Sequence, residues 1–134
     1  MRTEPTIISL ATDDRRRSFD FYRDALGLVA IGEPADDGVP EPLQFELGAG
    51  VNLMLVPRGG FGWIIGDNVV AERGTSECLL SLSLPSEREV DELVERAIGA
   101  GATVVSAAGP QPWGYAGTFA DPDGHLWMIE STPP

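Results

Sequence analysis

The chain has no lysine, a single histidine and a single cysteine, and its nine basic residues are outnumbered by 21 acidic ones, for a net charge of −12 over 134 residues. Each scarcity removes a class of function. The densest basic run, Arg15-Arg16-Arg17, follows Asp13 and Asp14 at a helix start, so no cluster of cations is available for a phosphate backbone and nucleic acid is not an expected partner. Lone Cys78 excludes an intrachain disulfide and a cysteine zinc cluster, and a small buried apolar role is expected for it. A Ser-His-Asp arrangement would have to use His125, and no serine stands in a nucleophile-elbow sequence. Gly59, Gly60 and Gly62 are followed by no lysine and make a poor phosphate loop. No apolar run approaches the length needed to cross a bilayer. Arg2 is followed at once by Thr3, Glu4 and Pro5, unlike a signal peptide. The expectation is one cytoplasmic domain with no membrane partner and an acidic, solvated surface.

What the chain does contain is a patterned set of strands and two helices. Thr6 to Thr12 reads as a strand, and Asp13 or Asp14 can cap a helix with Phe19, Phe21, Tyr22, Ala25 and Leu26 on its apolar side, closed by Gly27. Leu28 to Ile31 makes a short strand, Gly32 to Pro42 a loop, and Leu43 to Leu47 with Val51 to Val56 a hairpin around Gly48-Ala49-Gly50. Arg58 to Glu77 lacks periodicity and reads as a long linker, of the kind that is often functional. Cys78 to Leu84 is the next strand. Ser86 and Glu89 form a capping box ahead of a helix that buries Val90, Leu93, Val94, Ala97 and Ile98. Thr103 to Val105 is a short strand. The last hairpin pairs Tyr115 to Ala120 with His125 to Glu130 across Asp121-Pro122-Asp123-Gly124, where proline and glycine suit a tight turn.

The two halves repeat one plan: strand, helix, short strand, hairpin. Ile7-Ile8-Ser9-Leu10 matches Leu79-Leu80-Ser81-Leu82, and Gly50-Val51-Asn52-Leu53-Met54-Leu55 matches Gly124-His125-Leu126-Trp127-Met128-Ile129, at nearly equal offsets of 72 and 74 residues. Strand alternation then sorts the side chains. Ile8, Leu10, Leu53, Leu55, Leu80, Leu82, Leu84, Trp127 and Ile129 point to the helices; Ile7, Ser9, Ala11, Asn52, Met54, Leu79, Ser81, Ser83, Leu126, Met128 and Glu130 point the other way.

This doubled strand–helix–strand–strand–strand unit, with S-F-D-F-Y-R-D-A-L-G-L at Ser18 to Leu28 and F-A-D-P-D-G-H-L-W at Phe119 to Trp127, resembles the vicinal oxygen chelate superfamily, which holds glyoxalase I, extradiol dioxygenases and bleomycin-resistance proteins. The resemblance implies an α+β fold of two βαβββ repeats, residues 1–57 and 78–134 joined by a linker at 58–77, forming curled mixed sheets around a concave cavity with helices on the convex faces. It also implies where a metal would sit. Carried over residue by residue, the ligand positions of metal-using members fall on Ile7, Met54, Leu79 and Met128, none an imidazole or carboxylate. His125 lies on the face opposite Met128, and Glu130 stands at a strand end. No metal, no cofactor and no catalytic residue are therefore expected. What remains is an apolar cavity with polar points, in which Ser9, Asn52, Met54, Trp63, Ser81, Trp113, Tyr115, Met128 and Glu130 are the candidate ligand-binding residues. By analogy with the bleomycin-resistance branch, the expected function is sequestration of a cationic or planar aromatic antibiotic by a homodimer. The alternative is a glyoxalase-like lyase or dioxygenase-like metalloenzyme with atypically placed ligands, or an enzyme using Glu130, His125 or Tyr115 in acid–base work.

Overall fold

The computed structural model describes residues 3–132; Met1 and Arg2, read above for a signal peptide, lie outside the described residues. The described residues divide into two compact units, one running to Arg23 and resuming at Gly27–Ala71, the other made of Asp24–Leu26 and the described residues from Glu72 on.

The first unit holds β1 (Thr6–Thr12), α1 (Arg15–Asp24, of which Asp24 falls to the other unit), β2 (Val29–Ala30), β3 (Leu43–Gly48), β4 (Val51–Pro57) and α2 (Arg58–Ile64). Its sheet has the order β1-β4-β3-β2, with β1 parallel to β4 and the other pairs antiparallel. Alternation decides which face is buried. Leu43, Phe45, Leu53 and Leu55 are buried, and the rings of Phe19 and Tyr22 on α1 lie 6.3 and 5.8 Å from that of Phe45. Asp14 caps α1, its Oδ1 accepting from Arg17 N at 3.0 Å, and Gly27 takes φ +67 beyond the helix end. Arg15 ties the following loop to α1 through Asp37 at 2.6 Å and Glu41 at 3.2 Å.

The second unit repeats the order: β5 (Leu79–Leu84), α3 (Glu87–Gly99), β6 (Thr103–Gln111), β7 (Gly114–Ala120) and β8 (Leu126–Ser131), in a sheet ordered β5-β8-β7-β6 with β5 parallel to β8. Ser86 caps α3 as its sequence requires, its Oγ accepting from Glu89 N at 3.2 Å. Val90, Leu93, Val94 and Ala97 of the helix are buried, as are Phe119, Trp127 and Ile129 of the sheet it covers, whereas Ile98, expected on the same buried face, is exposed near the helix end. Both sheets are open, not closed into barrels, and the class is α+β, as the repeat implied.

Several expectations are corrected. The stretch read as a long linker without periodicity begins with a helix, α2, which three glycines had hidden because glycine is a poor helix former. The second unit's second strand, β6, continues past Val105 to Gln111, with register shifts between Val104 and Gly109 that break the alternation a reader would look for. Cys78 is exposed, not buried, because it precedes β5 and has no covering element. His125 lies just before β8; its N–H donates to Asp121 Oδ1 at 2.8 Å, so the Asp121 side chain organises the turn.

Candidate functional site

The side chains that alternate away from the core form an open face on each sheet. On the first, the parallel register sets Ser9 opposite Met54 and Ile7 opposite Asn52, and the antiparallel register sets Gln44 opposite Met54 and Glu46 opposite Asn52. Asn52 Nδ2 donates diagonally to Gln44 Oε1 at 3.4 Å. The second open face has the same centre: Ser81 stands opposite Met128, and Thr118 lies on Met128's other side. Each face therefore has a methionine flanked by a serine and a second hydrogen-bonding side chain. At the margin of the second face, Ser83 Oγ donates to Glu130 Oε1 at 3.1 Å.

The first face is closed at one end and open at the other. The open end is a cleft of about 600 Å³ lined by Glu4, Pro5, Ile31, Glu46, the Gly48-Ala49-Gly50 turn and Asn52. Two carboxylates and no arginine line it. Gly50, at φ +75, leaves room for Glu4: a Cβ there would stand 2.6 Å from Glu4 Oε1. At the other end α2 contacts β1 and β4. A Cβ on Gly60 would lie 3.7 Å from Val56 Cγ1, and Val56 shares the parity of Asn52 and Met54. Its register partner Ala11, placed on the open face by alternation, is consequently buried. Arg58 fastens α2, with Nε 2.8 Å from Asp13 Oδ1 and Nη1 donating to the Ala71 carbonyl at 3.2 Å.

The sequence-derived candidates thus fall into groups. Ser9, Asn52 and Met54 share one open face, and Ser81, Met128 and Glu130 share the other. Trp63 projects from α2 with 86% of its surface exposed, and Trp113 projects from the turn between β6 and β7 with 65% exposed. Tyr115 is different. Its parity is that of Phe119, toward α3, and its hydroxyl donates to Asp91 Oδ1 at 2.6 Å, so it does not join the open face. That hydrogen bond, with burial and the negative charges of Asp91 and Glu87, raises the phenol above its ordinary value near 10. Gln44, Glu46, Glu4 and Thr118 were missed, although the alternation Gln44-Phe45-Glu46 carries the signal for two of them. Among the described residues no group of three or more His, Cys, Asp or Glu is assembled that could hold a metal ion. No helix among them is long and apolar enough to cross a membrane.

Paired βαβββ units with this register define a class. The chain belongs to the Glyoxalase/Bleomycin resistance protein/Dioxygenase superfamily, whose model matches residues 6–129. Its particular relatives include the uncharacterized protein Mb0911c of Mycobacterium bovis, 32% identical over 129 residues that cover 90% of this chain and 78% of that one. Among solved structures, a hypothetical protein SA1046 from S. aureus superposes with a TM-score of 0.82 at 24% identity, over 98% of this chain and 95% of that one. A glyoxalase-related enzyme from Fulvimarina pelagi gives the same score at 28% identity, over 96% and 87%.

Proposed function

We propose that this chain is a metal-free small-molecule-binding protein of the superfamily, a cytoplasmic homodimer that sequesters a cationic or planar aromatic antibiotic or a related metabolite without chemical change. The observation that carries the reading is the centre of each open face. Met54 and Met128, with Ile7 and Leu79, stand at the four positions to which the resemblance carries the ligands of metal-using members, and these side chains and their neighbours Ser9, Gln44, Ser81 and Thr118 offer alkyl, thioether, hydroxyl and amide groups in place of imidazole and carboxylate. Hard and borderline divalent ions need those missing donors, so the side chains present do not fit the family's metal. They do fit an organic ligand: methionine adapts to an irregular apolar surface, and serine, asparagine and glutamine fix orientation by hydrogen bonds.

The charge of the ligand follows from the cleft at the end of the first face. Glu4 and Glu46 line it with Asn52 and no arginine, which favours a cation, and a net charge of −12 speeds the approach of one at low salt. Exposed Trp63 and Trp113 supply faces for stacking on a planar system. A second copy is favoured because Ile7 and Leu79, on the open faces, are 44% and 54% exposed and call for a cover.

Elemental analysis after dialysis against nickel, zinc, manganese and iron is the first test, with substoichiometric metal expected. One tightly held metal ion per chain would overturn the proposal. Titration with bleomycin and acridine-type cations should then quench the exposed tryptophans. Trp113→Ala is expected to weaken binding by about 1–3 kcal/mol with the fold intact, and unchanged affinity would remove Trp113 from the site.

A further inference from the structure

A second concave feature lies on the opposite side of the second sheet, away from the open face. A cleft of about 240 Å³ runs between α3 and β6, lined by Val94, Ile98, Val104, Ala107 and Ala108 with Asp91 and Glu95 at its wall. Its size is below the roughly 300–1,000 Å³ of drug-sized ligand sites and is that of an inserted side chain. Ile98 and Val104, both exposed, extend the apolar surface beyond it.

The charges beside this cleft are all of one sign. Glu87, Asp91 and Glu95 follow one another at four-residue spacing, a line of carboxylates about 6 Å apart and about 12 Å long on one side of α3. The helix's two arginines are engaged elsewhere: Arg88 pairs with Glu92 at 2.9 Å, and Arg96 donates to the Ala25 carbonyl at 3.2 Å. No arginine pairs with Glu87, Asp91 or Glu95 among the described residues, and Asp91 only accepts from Tyr115. A small apolar slot beside an acidic line longer than itself suits an elongated cationic partner better than a compact ligand. A second copy of this chain would bring the same negative line to a symmetric contact.

We infer that the α3–β6 face docks a basic amphipathic helix of another protein, which inserts one aliphatic side chain between Ile98 and Val104 and aligns arginines or lysines at four-residue spacing with Glu87, Asp91 and Glu95. The inference is independent of the ligand reading, since it uses none of the open-face residues.

Amide chemical shifts of the full chain, titrated with two synthetic fifteen-residue helical peptides, test it. One peptide carries a leucine flanked by arginines four residues apart; the other replaces those arginines with glutamate. The arginine peptide is expected to shift residues 91–98 and 104–108, and the glutamate peptide to shift nothing. Glu87→Gln and Glu95→Gln should each weaken binding about two- to fivefold, as exposed ion pairs do. Ile98→Ser should weaken it while changing the spectrum of the free protein only at residues adjoining position 98. Equal response to both peptides, shifts confined to the Ser9–Met54 or Ser81–Met128 surfaces, or indifference to these substitutions would overturn the inference. So would sedimentation showing a dimer of the unliganded chain that Ile98→Ser dissociates, or hexylamine alone reproducing the shifts at equal affinity.

Discussion

Gly117 occupies the middle of β7, opposite Ile129 of β8, where the register-shifted part of β6 passes close by. A Cβ on Gly117 would stand 2.9 Å from Ala108 Cα, 3.1 Å from Ala108 N and 3.1 Å from Ala108 Cβ. The obstructing atoms are largely backbone, which cannot swing aside as a flexible side chain could. Gly117→Ala therefore has to push β6 away from β7 or strain both, and overpacking of this kind costs about 1–3 kcal/mol. For a domain of this length that corresponds to a fall in melting temperature of roughly 3–12 °C. Gly109→Ala is the matched control: it lies on the neighbouring strand, and a Cβ there meets nothing within 4 Å. Urea titration of both variants, with amide spectra to localise any change, should show Gly117→Ala destabilised and perturbed around Ala108, and Gly109→Ala close to the parent. Equal stability of the two variants would refute the close-approach argument.

Removing the Ser86 cap by Ser86→Ala should cost about 1 kcal/mol, read in the same urea titration. Ultraviolet titration should find Tyr115 ionising above the ordinary tyrosine value, and Asp91→Asn should bring it down by removing the charged acceptor. Because the folded value is raised, the stability Tyr115 contributes is intact below pH 10 and is lost as pH rises through the higher folded value, which alkaline unfolding curves of parent and Asp91→Asn can compare. The native protein should release one equivalent of colour from a thiol reagent without denaturant, since Cys78 is exposed; a thiol that reacts only after unfolding would contradict that placement.

The strands and the two long helices were legible because their signals are local. Alternation picked out Leu53, Leu55, Trp127 and Ile129 for burial, and Ser86 with Glu89 marked the start of α3. What escaped depends on partners distant in sequence. Nothing local forecasts that Gly59, Gly60 and Gly62 sit in a helix pinned by Arg58 to Asp13 and Ala71, nor that it covers Ala11. Tyr115 is a ligand candidate by sequence, but its parity with Phe119 sends it to α3 and Asp91. Glu4 reaches the first open face only because the chain enters β1 beside Gly50, with Thr6 N donating to the Gly50 carbonyl at 2.7 Å.

The alternation along β1, β4, β5 and β8 also bears on how such a protein can change. Residues that hold each sheet to its helix and residues that meet the outside occupy separate positions of the same strands. Replacing Ser9, Asn52, Ser81 or Met128 alters what a sheet displays while Leu53, Leu55, Trp127 and Ile129 keep their packing. Surface substitutions of that sort usually cost little stability. New ligand preferences can then accumulate one mutation at a time in descendants of this chain without passing through forms that fail to fold.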